Sequence, residues 1–141
     1  MAANTTPIFI KQGNVGLARI AAANTASDGS GTLVNLVTSA VDGTRIDGVR
    51  FRNSQATAAT SSLMVHKIFL TDTTGANPRL IGEIQTPAGA NRVTAGNIGA
   101  SSIYTFDQPL ILLSGQILKV SQSIYAGVQD QFDIQAFAGD Y

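Results

Sequence analysis

Glycine, or a cluster of Asn, Asp, Ser and Thr, interrupts this chain so often that no window keeps apolar residues at i, i+3, i+4 and i+7 over three turns. An amphipathic helix long enough to bury a face is therefore not expected. What fits between the interruptions is short runs rich in Val, Ile, Leu, Thr and Phe. These run from Ile8 to Lys11, Val15 to Ala22, Thr32 to Thr38, Arg45 to Asn53, Ser62 to Thr71, Arg79 to Gln85, Ser102 to Phe106, Leu110 to Leu113, Gln116 to Ile124 and Gln131 to Ala138, predicting eight to ten strands.

Side-chain alternation says which faces are dry. Leu118, Val120, Gln122 and Ile124 share one face and Lys119, Ser121 and Ser123 the other. Phe132, Ile134, Ala136 and Ala138 alternate with Asp133, Gln135 and Phe137, which leaves Phe137 as an apolar residue on an outer face. In Leu63 to Leu70 both faces are apolar, with Leu63, Val65 and Phe69 on one and Met64, Ile68 and Leu70 on the other, predicting a central strand covered on both sides. Alternation breaks at Asp47-Gly48, where Val49 and Phe51 are in phase but Ile46 is not, so a β-bulge is expected there.

The connections Asn24 to Gly31, Val41 to Thr44, Asp72 to Pro78 and Ser114-Gly115 hold residues that accept positive φ or form side-chain turns, and Asp72 to Gly75 reads as a hairpin turn. Strands joined by turns, without intervening helices, predict an all-β, two-sheet antiparallel β-sandwich of jelly-roll-like topology. Residues 1–10 read as an N-terminal arm or first strand and 11–141 as one sandwich domain, a normal size for a single core.

Composition narrows the function. The chain lacks cysteine, so disulfides and thiolate metal sites are excluded. Its nine basic and nine acidic residues cancel, against the excess of Lys and Arg that phosphate binding requires, so direct nucleic-acid binding is not expected. A near-zero net charge permits self-association. Neither a secretory signal at Met1 to Pro7 nor a run of about 18 apolar residues occurs, so no membrane partner is expected and the protein is read as made in the cytoplasm.

Catalytic and metal signatures are missing. His66 is the sole histidine and reads as a strand residue at a sheet face or interface. Asp28, Asp42 and Asp72 sit at or near glycine turns, where carboxylates accept backbone hydrogen bonds. Neither a Gly-x-Ser-x-Gly elbow nor a phosphate-binding glycine loop is found, so no enzyme, no cofactor and no metal is expected. Tyr104, Phe106, Tyr125 and Tyr141 could line a sugar or peptide groove, or belong to core and interface.

Gly43 to Phe51, Leu63 to Thr71 and Asn77 to Ile84, together with Pro109 to Ser121 and Phe137 to Tyr141, resemble segments of small β-sandwich proteins encoded beside the head genes of tailed bacteriophages. The resemblance implies a structural virion protein: a head decoration or cement protein on the capsid exterior. Its implied partners are the major capsid protein and other copies of itself, a trimer ahead of a dimer. The alternatives are a tail, receptor-binding or glycan-binding module, or a small jelly-roll capsid protein.

Three segments are candidate contacts. The arm supplies Thr5, Thr6, Pro7, Ile8, Phe9 and Ile10, which could pair with a neighbour's sheet edge or simply fray. The long connection Thr86 to Ala100 supplies Arg92 and Asn97. Arg45, Arg50 and Arg52 come third, as partners for acidic capsid surface or as a wet strand face. A cement protein should present a flat apolar underside, whereas a glycan module should expose an aromatic near Tyr104 or Tyr125.

Overall fold

A computed structural model of the chain describes residues 10–54, 60–89 and 99–141. Among these lie eight strands: β1 (Gln12–Ile20), β2 (Val34–Thr38), β3 (Thr44–Asn53), β4 (Met64–Leu70), β5 (Arg79–Thr86), β6 (Ser101–Leu112), β7 (Ile117–Gln122) and β8 (Phe132–Asp140), with one 3₁₀ turn at Val128–Asp130. Sheet 1 has the order β1-β8-β3-β6 and sheet 2 the order β2-β7-β4-β5. Every ladder is antiparallel.

The first strand pairs with the last, the second with the seventh, the third with the sixth and the fourth with the fifth. That is one long antiparallel ribbon. Rolling it up adds the pairs β3 with β8 and β4 with β7, which gives the two sheets of a jelly roll.

The expected strands are present with two differences. Ser102 to Phe106 and Leu110 to Leu113 form one strand, β6, whose register with β3 shifts between Thr105 and Leu110. Pro109 is tolerated within it because β6 is an edge strand of sheet 1. Of the expected strand Ile8 to Lys11, Ile8 and Phe9 fall outside the described residues; Lys11 extends the β1–β8 ladder by donating its N–H to the Asp140 carbonyl at 2.9 Å.

The bulge lies where alternation breaks, with the register of β3 against β8 shifting between Ile46 and Gly48. The extra residue turns Ile46, Val49 and Phe51 all inward, each 0% exposed. They meet Ile20, Phe132 and Ile134 of their own sheet and Met64, Ile68, Leu118 and Val120 of sheet 2. Each such side chain contributes about 1.5–3 kcal/mol by burial.

As predicted, β4 is central and dry on both sides. Its inner face holds Met64, His66 and Ile68, and on the outer face Phe69 is 0% exposed. Lys67, in phase with Phe69, is 6% exposed and donates from Nζ to the Thr25 carbonyl and to Ser27 Oγ. The β1–β2 connection, residues 21–33, thus crosses the outer face of sheet 2. Its own turns hold it in shape: Gly29 and Gly31 take positive φ, and Asn24 Nδ2 donates to the Ser30 and Thr32 carbonyls.

Candidate functional site

The outer face of sheet 1 is different, and the register lays it out strand by strand. On β1, Gly16 and Ile20 are buried and Ala18 packs against the core, so Val15, Leu17 and Arg19 point outward. Opposite them on β8 stand Phe137, Gln135 and Asp133. Next on β3 come Arg50 beside Gln135 and Arg52 beside Asp133, and on β6 Ile103 stands beside Arg50. Arg45, brought into the same phase by the bulge, lies between Gly139 and Ile111. Ile10 packs over Gly139, where a Cβ would come within 2.7 Å of its side chain.

Leu17 is 72% exposed, Val15 53%, Ile103 47% and Ile111 44%. Large apolar side chains are thus exposed along both edge strands of this face, Val15 and Leu17 on β1 and Ile103 and Ile111 on β6. Phe137 is half-buried, with the Arg50 guanidinium 5.6 Å from its ring centre.

Charges lie between these two edges. Arg19 donates to both Asp133 oxygens, at 2.6 and 3.2 Å, and this raises the Arg19 pKa, first through the hydrogen bond and then through the carboxylate charge. Arg45 donates to Asp47 at 2.8 Å. Both pairs are solvent-exposed and add little to stability. What they do is hold guanidiniums in place on the sheet.

Of the residues singled out from sequence, the structure brings Arg45, Arg50, Arg52 and Ile10 together on this face. Thr5, Thr6, Pro7, Ile8, Phe9, Arg92 and Asn97 lie outside the described residues. The sequence reading missed Val15, Leu17, Ile103 and Ile111 as contact candidates. The available signal was the inverted alternation of β1, with small Gly16 and Ala18 on the inward phase and large Val15 and Leu17 on the other.

The remaining polar residues are occupied structurally. His66 lies in the core, stacked on Phe51 at 4.3 Å and edge-on to Phe132 at 4.6 Å. Burial lowers its pKa to about 3, and neither ring nitrogen has a hydrogen-bond partner among the described residues. Asp130, fully buried, accepts the Ser62 and Ala126 backbone N–H groups and the Ser62 hydroxyl. Asp140 accepts Thr44 Oγ1 and Asn14 Nδ2 at the opposite rim.

The turn aspartates mostly behave as expected. Asp28 accepts the Ser30 N–H and hydroxyl, and Asp72 caps its turn through Thr74, Ala76 and Asn77, which lowers its pKa to about 2. Asp42 differs, since its carboxylate is held by the Lys11 ammonium at 2.9 Å. Among the described residues no group of three or more His, Cys, Asp or Glu is arranged to hold a metal.

Tyr104 and Phe106 pack edge to face at 5.2 Å against the margin of the core. A Cβ on Gly82 would sit 2.6 Å from the Tyr104 ring, so that glycine lets the ring close the seam between β5 and β6. The assembled site is thus an open sheet face on a jelly roll. No family model matches the chain, and no curated protein matches it.

Proposed function

We propose that this chain is a structural virion protein, a decoration or cement protein that docks on the outer capsid lattice of a tailed bacteriophage and stabilises the head. The observation that carries this reading is the open outer face of sheet 1, with exposed apolar side chains along both edge strands and arginines between them, on a sandwich whose other sheet has its own cover. Such a face suits broad contact with another protein surface better than capture of a small ligand. The resemblance of the β3, β4–β5 and C-terminal segments to head-gene β-sandwich proteins supports the same role.

The mechanism is mass action. A protein that binds assembled shell and not free subunits shifts the equilibrium toward the shell, by an amount set by its concentration relative to Kd. Repetition over the lattice lets each contact be weak. Docking at positions where capsid subunits meet favours a homo-oligomer matched to the local symmetry, a trimer before a dimer.

Light scattering of the purified protein, followed by co-sedimentation with empty capsid shells, tests this. The expected result is an oligomer that pellets with shells at fixed stoichiometry. A monomer that stays in the supernatant at every shell concentration refutes the role.

A further inference from the structure

The docking face is chemically selective. Every cation carried by the four strands of sheet 1 is an arginine: Arg19, Arg45, Arg50 and Arg52. Against them the outer face sets Asp47 and Asp133, with exposed Asp107 on β6, so arginines outnumber carboxylates there by one, and Asp47 and Asp133 are already engaged by Arg45 and Arg19. Arginine presents a planar fork that matches a carboxylate with two parallel hydrogen bonds, and it is shed from water more readily than lysine.

Arg50 and Arg52 are two residues apart on one face of β3, hence about 7 Å apart. With Leu17 and Gln135 they border a shallow depression that also reaches Asp133 and Ile134. Arg50 is steadied by the Phe137 ring beneath it, so part of the ordering cost of binding is already met. Beside the arginines, Leu17 and Ile103 offer apolar contact on either flank.

Building on the shell-binding role, we propose that this face docks on an acidic protein surface, with an Asp or Glu side chain of the shell entering between Arg50 and Arg52. The same charge pattern disfavours a two-fold dimer through this face. Such a contact is self-complementary and would set the Arg50 and Arg52 strip of β3 against its own copy. Self-association therefore uses other surfaces, and this one is left free for the shell.

Co-sedimentation with empty shells at about 50, 150 and 500 mM NaCl is the test. Wild-type affinity falls roughly tenfold or more across that range. Arg50→Glu/Arg52→Glu weakens binding by about 100-fold, and Arg50→Lys/Arg52→Lys by about tenfold, because the charge stays and the fork is lost. Thermal melts of both variants should match wild type, and if the Glu pair does not fold, the Lys pair and the salt series decide.

Shell binding that is indifferent to salt and to both variants overturns the acidic-surface proposal while the decoration role stands. Absence of wild-type binding at the lowest salt overturns both. Two further results overturn the proposal: a DNA duplex of about 20 base pairs binding more tightly than shells at equal salt, or a homo-oligomer in sedimentation velocity that the Glu pair dissociates.

Discussion

The outer faces of the two sheets hold similar apolar residues under opposite circumstances. On sheet 2, Phe69 of β4 is fully buried, and residues 21–33 cross the same face, held there by Lys67. On sheet 1, Leu17 and Val15 of β1 stand open, 72% and 53% exposed. A strand with apolar residues in both phases therefore implies a cover. Where the cover belongs to the same chain it contributes to folding, and where it does not, the apolar surface is left for association.

The contrast is sharpest in stability. Phe69→Ala should cost about 3–5 kcal/mol, read from urea denaturation, since it empties a closed site. A loss below about 1 kcal/mol would mean that the crossing loop excludes little water, and the distinction between the faces would collapse.

Acid probes β4 from its inner side. The His66 imidazole is neutral in the fold, with its pKa lowered to about 3 by burial, while in the unfolded chain it titrates near 6.5. The unfolded state thus binds the extra proton. Stability is full above pH 6.5 and falls as the pH drops toward 3, by roughly 2 kcal/mol at pH 5. Urea midpoints between pH 7 and 5 should show this slope, and His66→Leu should flatten it. A His66→Leu protein that keeps the whole slope would shift the cause to other groups.

Lys67→Met removes the tether and leaves the apolar stem. The expected loss is about 1–1.5 kcal/mol, with faster hydrogen exchange confined to the amides of residues 24–31. Unchanged exchange there would show that Asn24 and the turn glycines hold the loop alone. Smallest of all, Leu17→Ser should change stability by less than about 0.5 kcal/mol while weakening shell binding. A large stability loss at Leu17 would reveal that its face is covered after all.

Local alternation made much of this fold legible. The double apolar phase of β4 and the phase break at Asp47-Gly48 each correspond to a feature of the structure, a covered central strand and a bulge. Pairing partners were not legible, because they depend on residues far apart in sequence. Arg19 and Asp133 form a bidentate pair across 114 positions, and only the β1–β8 register joins them. Gly16 is readable as a glycine, but the close approach that requires it is not: a Cβ there would lie 2.3 Å from Val37 of β2. The gap drawn between Phe106 and Leu110 is closed in β6, where Pro109 is accepted because an edge strand needs no ladder N–H at that position. The outer face of sheet 1 was least legible, because it is assembled from four strands whose order no single segment encodes.

The rolled ribbon also sets an order of events during synthesis. β8, the last of the described strands in chain order, sits between β1 and β3, and β7 sits between β2 and β4. Neither sheet has its centre until β7 and β8 have emerged, so the earlier strands must wait with their inner faces unpaired. Such long-range pairing is slow and exposes sticky intermediates. The outer face of sheet 1, which needs β1, β8, β3 and β6 side by side, cannot form before β8 has been synthesised. Any contact made through that face must wait for β8.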